Sequence, residues 1–173
     1  MRPHLPLWAA WLLASGTLVV TALSAPAEAD SPAKPSWPPL AAPVQPVAMA
    51  RSAELPASPW LPGHRGIDLR AAVGQVVFSP GAGVVTFAGV VVDRPVVTVT
   101  LADGRRSSVE PVEPSVEPGS AVSRGQAVGV LADAPGHCRP AACVHWGVRH
   151  GDTYLDPLDL LVGFGPVRLL KVS

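Results

Sequence analysis

From residue 75 to residue 149, short apolar runs alternate with turn residues, and no stretch keeps a helical period. Gln75–Ser79 reads as a strand, closed by the turn Pro80-Gly81-Ala82-Gly83. Val84–Asp93 is a long apolar run in which Gly89 marks a bulge or a close backbone approach. Pro95 is expected to break it, and 96–101 then alternates as Val-Val-Thr-Val-Thr-Leu. Asp103-Gly104 is a hairpin signal, because both residues tolerate the positive φ of a tight turn. Residues 106–112 pair back. Val116–Gly129 is a looped segment feeding a strand at Ala127–Leu131, and Val144–Arg149 forms another strand. Tyr154–Leu158 opens a short helix or turn, and Val167–Val172 adds an edge strand to the tail at 163–173. The pattern predicts an all-β, mostly antiparallel domain over residues 61–162, built as a compact sandwich or barrel.

Composition sharpens this picture. Hydrophobic residues make up 48% of the 173, yet aromatics only 5%, and there are 21 prolines. Valine-rich, proline-punctuated sequence favours short strands and turns. Thirteen basic residues balance 13 acidic ones, and no basic stripe points to nucleic acid or to an anionic membrane surface.

The N-terminal 60 residues follow a different pattern. Residues 1–29 have the form of a secretory signal: Arg2, the uncharged apolar run Leu7–Leu23, then Ala27-Glu28-Ala29 as a small-x-small cleavage site. An uncleaved N-terminal membrane anchor is the rival reading of the same run. Either way the rest of the chain is exported to the extracellular or cell-wall space. Residues 30–60 carry Pro32, Pro35, Pro38, Pro39, Pro43, Pro46, Pro56 and Pro59 and read as an extended, mobile linker. Trp60, beside the domain start, is expected to pack on it.

Two stretches carry the candidate chemistry. His64 and Asp68 lie four apart, and His145 follows far along the chain. Two imidazoles and a carboxylate make a three-ligand zinc site with a fourth position open. Cys138 and Cys143 flank Arg-Pro-Ala-Ala, and in an oxidising compartment a disulfide is the default. A local zinc cluster of His137, Cys138, Cys143 and His145 is the alternative.

The order of motifs resembles the M23 family of zinc metallopeptidases, the lysostaphin or LytM type. Gly63-His64-Arg-Gly-Ile-Asp68-Leu69 is similar to the family's His-x-Gly-x-Asp-Leu. Val116-Glu-Pro-Gly119 through Gly125-Gln126-Ala-Val-Gly129 is similar to its Val-x-x-Gly-x-x-Val-x-x-Gly-Gln-x-Ile-Gly segment. Cys143-Val-His145-Trp-Gly-Val-Arg149 stands where the family has His-Leu-His-Phe-Glu-Val-Arg, and Asp156-Pro157 matches its closing pair. The resemblance implies Zn2+ held by His64, Asp68 and His145, and a substrate in the peptide cross-links of bacterial peptidoglycan. It also implies two departures: Cys143 and Pro111 occupy the places of the family's two further histidines. Candidate replacements are Glu110, although strand alternation is expected to turn its side chain outward, and His137, which the cysteine loop is expected to bring over the metal. Losing both histidines implies the alternative of a catalytically impaired domain that binds cell wall or regulates another cell-wall hydrolase.

Overall fold

The computed structural model describes residues 37–58, 60–136 and 138–162. The signal stretch 1–29, the C-terminal tail 163–173 and His137 lie outside the described residues. Eleven strands follow in chain order: β1 (Met49–Arg51), β2 (Ile67–Arg70), β3 (Val76–Phe78), β4 (Gly83–Val91), β5 (Arg94–Leu101), β6 (Arg105–Glu110), β7 (Val112–Pro114), β8 (Ala121–Val122), β9 (Ala127–Leu131), β10 (Cys143–His150) and β11 (Thr153–Leu155). A single 3-10 turn, Pro157–Leu160, closes the series, capped by the Asp156 carboxylate accepting from the Leu158 amide at 2.9 Å. The expected short element after Tyr154 is thus split between a strand and this turn.

The strands form two antiparallel sheets. The larger runs β1-β2-β10-β6-β5-β4-β8, with β11 on the remaining length of the β10 edge that β2 occupies. The smaller runs β3-β9-β7. Between them lies a core of Ile67, Leu69, Val77, Val97, Val128 and Trp146, among others, each at most 1% exposed. The all-β, antiparallel expectation is met, and its cause is visible in the sequence: β-branched residues pack well on a pleated, half-buried surface. Trp146 lies in this core, with its indole N–H donating to Ser107 Oγ at 2.9 Å.

Several local expectations are corrected. Pro95 does not break the apolar run; it is the second residue of β5 and pairs with Val90. The reversal falls just before it, where Val92 takes a φ of 62°. The register shift in β4 lies between Val85 and Phe87, not at Gly89. Trp60 is 82% exposed and does not pack on the domain.

The largest correction concerns the expected linker. The described residues, from Trp37 on, belong to one compact unit. Leu40, Ala42 and Val44 are buried in the core, and β1 pairs with β2. Proline removes a backbone donor but keeps its acceptor. The carbonyls of Pro43 and Pro38 accordingly accept from the Phe78 amide and from Arg105 Nη2, each at 2.8 Å.

Arg105 is the anchor of this segment. It is 1% exposed, sits 5.4 Å from the Trp37 ring centre, and donates to Asp103 through Nε at 2.9 Å and through Nη2. Hydrogen bonding from Arg105 holds the Asp103 carboxyl below the usual carboxylate range, against the opposing effect of burial. A carboxyl depressed in the folded state stabilises above its unfolded pKa of about 3.9 and loses that contribution as pH falls through the folded value. Chemical denaturation of an Asp103→Asn chain should show a loss of about 1–3 kcal/mol at pH 7. That deficit should shrink below about pH 4, where wild type loses the same charge-assisted bonds.

Candidate metal centre and its cleft

Antiparallel register places the site. His145 of β10 lies opposite Asp68 of β2 on one side and opposite Glu110 of β6 on the other. Residues directly opposite share a face, so all three side chains rise from the same side of the sheet. Two residues further along come Gly147 and Ser108, and two further still Arg149 and Arg106. Tyr154 of β11 lies opposite Arg149. These rows floor a cleft of about 560 Å³ that also takes in His64 and Arg94.

His64 arrives from outside the regular strands. Its backbone makes a two-bond bridge with Glu54, each bond 2.9 Å. That bridge depends on the segment the sequence reads as linker. The adjoining Ser52 carbonyl accepts from His64 Nδ1 at 2.7 Å, which fixes the proton on Nδ1 and leaves the Nε2 lone pair facing inward. Gly66 lets β2 approach β10 so closely: a Cβ there would stand 2.3 Å from the Trp146 carbonyl oxygen.

Three donor atoms converge. His64 Nε2 is 3.1 Å from Asp68 Oδ1 and 3.0 Å from His145 Nδ1, and those last two are 2.8 Å apart. His64 and Asp68 are 2% and 1% exposed, whereas His145 is open to the cleft. Two ligands about 2.0–2.1 Å from a tetrahedral zinc stand roughly 3.3 Å apart, so a small outward movement of each donor accommodates the ion. Nitrogen, nitrogen and carboxylate oxygen are the donor types zinc takes in sites that keep one position open. The residues fit the metal in number, chemistry and spacing.

The other predicted residues divide. Cys138 and Cys143 form a disulfide. The alternative zinc cluster that used both sulfurs is therefore overturned, since neither cysteine keeps a thiolate to offer. Cys143 precedes His145 by two residues on the same strand and is buried. Pro111 faces the wall beside the cysteine loop, with Gly136 and Cys143. Register puts Glu110, not Pro111, opposite His145, and the Glu110 side chain lines the cleft instead of turning outward.

Sequence reasoning missed Arg94. Its Nε lies 3.2 Å from Glu110 Oε1, and its Nη1 donates to Asp93 Oδ1 at 3.0 Å. Burial works against the Arg94 charge, but the fields and hydrogen bonds of Glu110 and Asp93 more than offset it and raise its pKa. Arg94 and Glu110 are separated along the chain and joined only by the β5–β6 pairing, so no local motif signals the pair.

Comparison with known proteins agrees with this geometry. An uncharacterized protein of Mycobacterium tuberculosis is 40% identical over 154 residues, covering 87% of this chain. The chain spans 59% of that relative's length. A zinc containing peptidase from Vibrio cholerae shares the fold at 17% identity, with a TM-score of 0.57 over 69% of this chain and 39% of that one. The catalytic domain of the antimicrobial peptidase lysostaphin from Staphylococcus simulans shares it at 20% identity, with a TM-score of 0.54 over 65% and 90%. The sequence profile described as Peptidase family M23 matches residues 62–157, and with that match across more than half of its length the chain belongs to peptidase family M23.

Proposed function

We propose that this chain is an exported zinc metalloendopeptidase acting on the peptide cross-links of bacterial peptidoglycan. The observation that carries the reading is the convergence of His64 Nε2, Asp68 Oδ1 and His145 Nδ1 at 2.8–3.1 Å on the floor of an open cleft. Zinc bound there would polarise a peptide carbonyl and lower the pKa of water to about 7. The chain's own residues do the rest. The Ser52 carbonyl holds the His64 ring in one orientation. Gly147, with no side chain, leaves the floor beside His145 open to an extended peptide. Glu110 takes a proton from the attacking water and returns it to the leaving amine, with Arg94 holding its carboxylate in place. The substrate class follows from the family resemblance. Export rests on the signal-like pattern of residues 1–29, and a disulfide fits an oxidising compartment.

A second reading is a domain that binds cell-wall peptide, or another cell-wall hydrolase, without cutting. The Arg94 contact to Glu110 favours it, because it directs that carboxylate toward a guanidinium instead of toward an attacking water. Incubating the zinc-loaded chain with purified peptidoglycan separates the two. New amino termini that a chelator abolishes and zinc restores are expected. Zinc binding with no release of amino termini would replace the first reading with the second.

A further inference from the structure

The cleft floor does not end at the metal centre. Arg106 of β6 and Arg149 of β10 lie directly opposite each other on the face that carries Glu110 and His145. Both line the same cleft. Like charges opposite one another in an antiparallel pair are destabilising. Among the described residues, neither guanidinium has an ion-pair partner, although Arg51, Arg94, Arg105 and Arg139 each have one. Nor is the surrounding floor acidic: between the arginines and the metal centre it carries only Ser108 and Gly147. Glu110, the acidic residue that lines the cleft beside His145, already faces Arg94.

We propose that Arg106 and Arg149 form a carboxylate-binding subsite, so that the cleft takes peptides carrying a free carboxylate at a set distance from the bond to be cut. Two adjacent guanidiniums offer forked donors suited to a carboxylate, and a bound anion removes their mutual repulsion. Distance sets the position. Arg106 lies four residue steps from Glu110 along the strand, roughly 13 Å at about 3.3 Å per residue. An extended peptide spans that in about four residues. Allowing for the reach of an arginine side chain, the carboxylate belongs two to four residues from the scissile bond. Such a peptide would lie along β10, over Gly147. This subsite rests on the peptidase reading for its place in catalysis, but its binding chemistry can be tested without turnover.

The probe is a dye-labelled, C-terminally amidated glycine octapeptide with one internal Glu, compared with its amidated Gln counterpart. Anisotropy with the full zinc-loaded chain reads binding within seconds. At low salt the Glu peptide should bind about tenfold tighter, and 0.5 M salt should erase most of the difference. In an Arg106→Gln/Arg149→Gln chain the Glu-to-Gln ratio should fall to about one, while stabilisation by zinc stays at the wild-type level. Should the double variant fold poorly, Arg106→Gln alone replaces it, since Arg106 is exposed and a loss of preference is still expected. Equal binding of the two peptides, no binding of either, or a preference that survives in the variants would overturn the subsite. A chain that prefers the Glu peptide but never cuts peptidoglycan keeps the subsite and loses the peptidase reading.

Discussion

A His145→Ala chain is expected to lose zinc and, with it, all chelator-sensitive hydrolysis. His145 supplies one of three donors, and the other two sit at 2% and 1% exposure, unable to recruit a distant side chain. Loss of an outer-sphere partner typically costs 10–100-fold in metal affinity. Loss of a ligand should therefore exceed about 100-fold. Stability gives a readout independent of activity. A ligand that binds only the folded state at about 1,000 times its Kd contributes roughly 4 kcal/mol. Thermal unfolding of wild type should accordingly shift upward with zinc, and the variant's should not. His150→Ala is the control: it is exposed, its ring lies tilted against Trp37 with the ring centres 4.8 Å apart, away from the triad, and zinc should stabilise it as it does wild type. An undiminished zinc shift in His145→Ala would remove this histidine from the metal site.

How much of this was legible in the chain differs from residue to residue. The triad was legible because its spacing is local in part: His64 and Asp68 sit four apart, and His145 lies in a strand of unmistakable alternation. The Asp103-Gly104 hairpin was legible for the same reason, and Gly104 takes the positive φ, 82°, that the turn demands. Residues 37–51 were not. Their prolines forbid long ladders, but a proline carbonyl still accepts, and whether anything reaches it depends on residues far away, such as Arg105, 67 positions on. The face of Glu110 was misjudged for a related reason. A one-residue slip in register flips every side chain to the opposite face. Within Val109-Glu-Pro-Val112, nothing local says which residue stands opposite His145. Pairing with β10 decides it, and the Arg94 contact then follows from the β5–β6 ladder.

That register makes Glu110→Gln the most informative substitution in the cleft. Gln keeps the size of the side chain but cannot take up a proton. A positioned general base is worth typically about 10²–10⁴ in rate, so kcat on peptidoglycan should fall by that factor with zinc binding intact. Pairing Glu110→Gln with Arg94→Ala then decides what Arg94 does. If the guanidinium, 3.2 Å from the carboxylate, holds Glu110 in its working orientation, Arg94→Ala alone should lower kcat by about tenfold, and removing it from the Glu110→Gln chain should change little further. If instead the ion pair withholds the carboxylate, Arg94→Ala should raise hydrolysis, and the raised rate should vanish in the double variant. A Glu110→Gln chain as active as wild type would clear both alternatives away. Proton transfer would then come from another group, for which His137, beside the cysteine loop, is the sequence candidate.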